Sequence, residues 1–293
     1  MSAIIDASAM HAIFERPLPD GSFAAPARQY LQAVGAQRPI LLLAFAPKAA
    51  GTYFRQAAIH ATGGQLVRGT HAQGGRDGTP YLPNFLACYL DAEAPPAIMH
   101  LHMQALAANR HFIETLGLKP VIMLRSLPDL LASFWDMLDA DPAARAEGLN
   151  CRIPADFAAL GHAQKSAFMI DVIAPWYASY FATWKAFCDD APGEVCVLHY
   201  QGFRDRPADA LHKALTHAGF SVSTAGCEHA LAQVWAARAS HRYNKAVPGR
   251  GREYFSPSQI EKISRLLSFY GELAPWRDEL MGDCATANRR EGR

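Results

Sequence analysis

Four short apolar runs punctuate the chain: ILLLAFA at 40–46, AIMHLH at 97–102, PVIMLR at 120–125 and VCVLHY at 195–200. Each is bounded by turn-forming residues and reads as a buried strand. Helical patterns lie between and beyond them, over Tyr53 to Ala61, Ala105 to Leu116, Pro128 to Leu138 and Val172 to Phe187. Strands alternating with helices predict an α/β fold, a central parallel sheet flanked by helices. In such sheets ligands bind beyond the carboxyl ends of the strands. Functional residues are therefore expected just after 46, 102, 125 and 200. Two helix starts are marked by Ser126-Leu127-Pro128-Asp129 and Ser256-Pro257-Ser258-Gln259, each with a capping serine and a polar partner three residues on. One α/β domain is expected over 38–287, with an N-terminal extension (1–37) packed on its core and a disordered tail (288–293). The glycine-rich stretch Thr70 to Pro83 predicts a mobile loop.

Composition narrows the function. The chain has 293 residues, half of them hydrophobic, which is enough for a sizeable core. Its net charge of +1 argues against a nucleic-acid or membrane-surface binder, which would need a basic excess. Six cysteines without CxxC pairs read as reduced thiols, with no disulfide framework or zinc site. The N-terminus lacks a signal-peptide pattern and no apolar run is long enough to span a bilayer. These features predict a soluble, cytoplasmic protein that is not membrane-spanning.

The first strand runs into Pro47-Lys48-Ala49-Ala50-Gly51-Thr52-Tyr53-Phe54 and then a helix, a P-loop-like arrangement. A helix N-terminus offers N–H donors and partial positive charge to an anion. Small residues at Ala49, Ala50 and Gly51 let backbone wrap around it, Lys48 adds a point charge, and Thr52 adds a hydroxyl. The Gly-Lys-Ser/Thr ending of a nucleoside triphosphatase is missing, and no strand end carries the carboxylate that would hold Mg.

The segment 47–54 fits without a gap the first-strand loop of sulfotransferases that use 3'-phosphoadenosine-5'-phosphosulfate (PAPS). A second segment, Arg125-Ser-Leu-Pro-Asp129-Leu-Leu-Ala-Ser133, resembles that family's Arg-Asn-Pro-x-Asp-x-x-x-Ser, whose Arg and Ser hold the cofactor's 3'-phosphate. An arginine fork suits a phosphate dianion. Fainter echoes follow. Tyr200-Gln201-Gly202-Phe203 stands where the family has Tyr-Glu-Asp-Leu, with Tyr200 against the adenine. Asn244-Lys245-Ala246-Val247-Pro248-Gly249 stands for Arg-Lys-Gly-x-x-Gly. Lys245 is retained, and Arg250 or Arg252 is a candidate for the missing arginine. The resemblance covers roughly residues 38–270 and implies a sulfotransferase-type fold.

It also implies a base. His100-Leu101-His102 places His102 on the family's catalytic histidine and His100 where a lysine usually stands. Residues two apart share a strand face. His102 is expected to deprotonate the acceptor and His100 to orient acceptor or transferred group. Lys48 would stabilise the leaving oxygen in a direct in-line transfer that needs no metal. Asp136 and Asp139 read as a solvated helix face. The acceptor, a small-molecule, lipid or glycan hydroxyl, is expected between loops 63–96 and 139–168, with Tyr81, Leu82, Phe85, Phe157 and Phe168 as apolar lining. Two alternatives stay open: a nucleotide-dependent phosphotransferase and a non-catalytic nucleotide-binding module.

Overall fold

The computed structural model describes residues 25–71, 75–76, 78–90, 93–141, 149, 151–237 and 248–282. Five strands form one parallel sheet in the order β2-β3-β1-β4-β5. They are β1 (Ile40–Leu43), β2 (Gln65–Leu66), β3 (Ala97–His100), β4 (Val121–Leu124) and β5 (Cys196–His199). The four apolar runs supply β1, β3, β4 and β5, and β1, β3 and β4 are buried throughout, as strands covered on both faces must be. β2 has two exposed residues at the sheet edge and no apolar run to announce it.

The helices are α1 (Ala25–Gln37), α2 (Gly51–Thr62), α3 (Leu82–Leu90), α4 (Ala107–Leu116), α5 (Leu127–Ala140), α6 (His162–Phe168) and α7 (Ala174–Asp190). They continue with α8 (Tyr200–Asp205), α9 (Pro207–His217), α10 (Thr224–Ala236), α11 (Gly251–Tyr254), α12 (Pro257–Ser268) and α13 (Arg277–Met281). α1 packs on α4, α9 and α10 pack on α2, and α5 gathers α7, α12 and α13 around itself. The result is a single α/β domain with the sheet at its centre, and all strand ends point to one rim.

Several expectations are revised. The capping box at Ser256 forms, Ser256 Oγ accepting from the Gln259 N–H and Gln259 Oε1 from the Ser256 N–H. The one at Ser126 does not: the Ser126 side chain makes no cap bond, and Asp129 turns to a distant segment instead. The stretch expected to be mobile, Thr70 to Pro83, lies partly outside the described residues; at its described ends Thr70 bridges Pro80, and Asn84 Nδ2 donates to the carbonyls of Arg68 and Thr70. Phe85 and Phe157 are fully buried core residues rather than lining; Phe85 packs edge-on to Phe112 at 4.8 Å. The tail at 288–293 lies outside the described residues, as do residues 1–24 of the N-terminal extension.

Candidate active site

The loop after β1 is built by borrowing. Lys48 and Ala50 adopt left-handed φ values of 67° and 63°, a conformation that disfavours side chains and is held only when the surroundings impose it. The surroundings do so by taking the loop's carbonyl oxygens. Ala44 O accepts from the Tyr180 hydroxyl at 2.5 Å, Phe45 O from His102 Nδ1 at 2.7 Å and Pro47 O from the Tyr177 hydroxyl at 3.1 Å. Lys48 O accepts from Arg125 Nη1 at 2.5 Å, and Ala46 O from the Ala49 N–H within the loop at 3.2 Å. With every carbonyl from 44 to 48 occupied, the negative ends of these peptides are tied outwards. The first-turn N–H groups of α2, which have no acceptor within a helix, lie at its other edge. No side chain caps that N-terminus. Backbone of this kind forms an anion-binding concavity. Ala49 is buried, and Ala50, Thr52 and Tyr53 are half-buried around it.

Arg125 follows β4 directly and is buried, its guanidinium 4.3 Å from the centre of the Tyr200 ring. Arg125 Nε is buried without a hydrogen-bond partner, and among the described residues no ion pair involves this arginine. Ser133 sits two helical turns further on α5, also buried. Tyr200, at the start of α8, turns one ring face to Arg125, and Tyr53 rests against Phe203 at 5.9 Å.

The C-terminal segment, in contrast, has its donors occupied. Asp129 accepts from the N–H groups of Gly249 and Gly251, both at 2.9 Å. Gly251 is required there, because a Cβ would meet Pro128 at 2.3 Å. Arg250 is buried and donates through Nη2 to Asp136 at 2.8 Å and to the Tyr254 hydroxyl, while Tyr254 donates to Asp136. Asp136 is therefore a half-buried ion-pair partner rather than a solvated residue, whereas Asp139 is exposed as expected while accepting from Lys165 and Trp135. Arg252 is exposed on α11, and Lys245 lies outside the described residues.

The two histidines meet edge-to-face with ring centres 4.9 Å apart. His102 is half-buried, and its tautomer follows from its partner: Phe45 O can only accept, so Nδ1 carries the proton and Nε2 keeps its lone pair. Burial, then the positive charges of Arg76, Arg55 and Lys48, lowers its pKa to about 4 against the favourable bond to Phe45. His102 is a neutral imidazole at neutral pH. His100 is 6 % exposed with both ring nitrogens buried and unpartnered. Its ring covers Gly51, where a Cβ would lie 2.3 Å from it. Burial, with His102, Arg76 and Arg55 behind it, pushes its pKa well down.

The sequence reading missed Arg55, Arg76 and the role of α7 at the loop, though it expected that helix. Arg55 lies one helical turn after Gly51, a spacing visible in the sequence. Arg76 is carried in by the loop whose Arg76 carbonyl accepts the His102 N–H at 2.8 Å. On α7, besides Tyr177 and Tyr180, Trp184 Nε1 donates to Met103 O at 2.9 Å and Thr183 Oγ1 accepts from the Ala105 N–H at 3.1 Å. One helix thus props both the first loop and the segment after His102. Among the described residues, no group of three His, Cys, Asp or Glu side chains is placed to hold a metal ion, and no helix is long and apolar enough to cross a membrane.

No protein-family model matches the chain, and no curated protein matches it by sequence. Among solved structures, mouse sulfotransferase SULT7A1 complexed with PAP is similar, with a TM-score of 0.57 and 12% identity over 87% of this chain and 92% of that one. At that identity the likeness concerns the fold, which is the sulfotransferase fold.

Proposed function

We propose that this chain is a sulfotransferase that moves a sulfuryl group from PAPS to a hydroxyl acceptor by direct in-line transfer. The observation that carries the reading is the first loop, whose carbonyls from 44 to 48 are all taken while the helix start beside them is uncapped. It is supported by the fold shared with a protein solved with PAP, and by the unpartnered, buried Nε of Arg125. When bound, PAPS supplies an activated sulfuryl group on a phosphate leaving group.

On this reading the backbone of Ala49, Ala50, Gly51, Thr52 and Tyr53 and the Thr52 hydroxyl hold the 5'-phosphate. Lys48 neutralises charge on the leaving oxygen. Arg125 and Ser133 hold the 3'-phosphate, and Tyr200 flanks the base through Arg125. Lys245 and Arg252 are the remaining candidates around the nucleotide; Arg250 contributes by anchoring its segment to Asp136. His102 Nε2 accepts the acceptor's proton. Its buried neighbour His100, unpartnered at both nitrogens, orients the acceptor or the transferred group. Preorganised donors of this kind are usually the largest contribution to catalysis, and the charges of Lys48 and Arg125 let the transfer proceed without a metal ion. On this reading the protein is cytoplasmic, with which five cysteines unpaired among the described residues are compatible.

Calorimetric titration with adenosine 3',5'-bisphosphate, beside ADP and ATP with and without Mg, tests the proposal. Metal-independent binding that requires the 3'-phosphate and weakens at least tenfold in Arg125→Ala and in Lys48→Ala is expected. A preference for Mg-ATP would sink it in favour of phosphoryl transfer. His102→Gln should leave nucleotide affinity unchanged and lower kcat with PAPS by roughly 10²–10⁴. Equal loss of binding and turnover would make the residue structural and the site a binding module.

A further inference from the structure

Resting on the sulfotransferase reading, we infer that Gln104 and Trp176 form the acceptor subsite beside His102, and that it takes a polyhydroxylated ring, the sugar of a glycan or glycoside. The chain stays extended beyond β3 and the two histidines. Leu101, Met103 and Ala105 are buried, whereas His102 and Gln104 are half-buried and Leu106 is exposed. Met103 O and the Ala105 N–H, two residues apart, both turn to α7, where they meet Trp184 Nε1 and Thr183 Oγ1. Residues two apart on such a segment share a face, so Gln104 follows His102 on the open side.

Neighbouring elements hold the Gln104 amide still. Ser179 Oγ donates to Gln104 Oε1 at 2.9 Å, and Asn109 Nδ2 donates to the Gln104 carbonyl at 2.8 Å. The amide Nε2 carries two N–H donors and has no acceptor among the described residues. Trp176 precedes Ser179 by three residues and so shares its face of α7. The Trp176 ring stacks on Tyr180 at 5.4 Å and 16°. The Tyr180 hydroxyl in turn holds Ala44 O, next to the Phe45 carbonyl that holds His102. Trp176 is half-buried, and its Nε1 also has no acceptor among the described residues. Along α7, His102 is thus flanked by a braced aromatic ring and by a fixed amide with unused donors.

These two groups suit a sugar. The apolar C–H face of the ring lies on the indole, and a hydroxyl beside the attacking one accepts from Gln104 Nε2. Phe85 and Phe157, two of the aromatic residues expected to line an apolar slot, are in the core instead. A site built to hydrogen-bond a substrate hydroxyl discriminates against analogues that lack it. The transfer itself is unchanged. The sugar O–S bond forms as the S–O bond to the bisphosphate breaks, and the hydroxyl proton passes to His102 Nε2.

Cellobiose, N-acetyllactosamine and trehalose are the probes, with 2-naphthol as a ring carrying a single hydroxyl. Each is titrated by saturation-transfer NMR into the protein alone and into the protein saturated with adenosine 3',5'-bisphosphate. At least one disaccharide should bind, with its Kd raised about fivefold or more in Gln104→Leu and in Trp176→Leu, the loss expected for one hydrogen bond or one ring face. Ser179→Ala, which loosens the amide without removing it, should fall between. Gln104→Leu should change the Kd of 2-naphthol and of the bisphosphate by less than about twofold, a split that a merely structural role would not give. Thermal unfolding reports whether the variants fold, and Gln104→Leu, on the open side, decides the matter even where Trp176→Leu is destabilised. Absence of binding by all three disaccharides would overturn the sugar subsite. So would disaccharide binding that survives Gln104→Leu, or equal loss of disaccharide and 2-naphthol. Failure of the bisphosphate to bind would sink the sulfotransferase reading, while the Gln104 dependence of disaccharide binding to the protein alone still decides whether the subsite exists.

Discussion

The loop at 44–50 and the strap at 248–255 are both irregular backbone held by side chains from distant elements, but opposite edges of the peptide are tied. In the loop, outside donors take the carbonyls of Ala44, Phe45, Pro47 and Lys48. In the strap, carboxylates take the N–H groups of Gly249 and Gly251 and the guanidinium of Arg250. The difference decides what each can bind. A peptide whose carbonyls are occupied turns its donors to an anion; one whose donors are occupied has already chosen its anion, here Asp129. The family resemblance expects both segments around the nucleotide; on the proposed reading, their hydrogen bonding suits the first to holding it and the second to anchoring.

Breaking the strap should have the largest effect on stability. Asp129→Ala leaves the buried Gly251 N–H and the part-buried Gly249 N–H without an acceptor, and a buried group left so costs about 1–3 kcal/mol. A loss of roughly 2–4 kcal/mol in urea unfolding is expected, with affinity for adenosine 3',5'-bisphosphate changed less than threefold because the loop stays intact. A large loss of affinity would show that the strap also holds phosphate.

Acid should load the histidine end of the loop. The folded pKa of His102, about 4, lies below its ordinary 6.5. The unfolded chain therefore binds the proton first, and stability falls as pH drops from about 6.5 through 4, by roughly 3 kcal/mol in all. His100 acts in the same direction. His199, whose pKa is raised by its bond to Glu279, contributes fully below 6.5 and loses that contribution only as pH rises. Its effect therefore lies outside the window. Unfolding free energies measured between pH 4 and 7 should slope upward, and His102→Gln should flatten the slope; an unchanged slope in that variant would place the titration elsewhere.

The smallest effect sharpens the comparison most. Tyr177→Phe removes the donor to Pro47 O, and one such bond contributes about 1 kcal/mol. Nucleotide affinity should fall severalfold, with the strap's amide exchange unchanged. Loss of stability without loss of affinity would mean that the tie shapes the core rather than the anion site.

Much of this was legible beforehand. The runs at 40–46, 97–102, 120–125 and 195–200 marked four of five strands, and their ends do carry Lys48, His102, Arg125 and Tyr200 to one rim. The fifth, Gln65–Leu66, has no apolar pattern because an edge of two exposed residues needs none. Asp129 was misread as a cap partner of Ser126, since local spacing fits a capping box equally well. Asp136 was misread as solvated, because nothing near it in the chain announces Arg250.

What the sequence determined by itself is the sheet, the position of the glycine-containing loop and the residues that follow each strand. Periodicity and spacing record interactions over a few residues, and those suffice for elements and their order. Which polar edge of each loop is occupied was decided only by tertiary structure. Arg125 reaches the Lys48 carbonyl across 77 residues, Arg250 reaches Asp136 across 114 and Tyr177 reaches Pro47 across 130. Such pairs exist only once α5 and α7 have packed against the sheet, because a hydrogen bond needs its two atoms within about 3 Å whatever the length of chain between them.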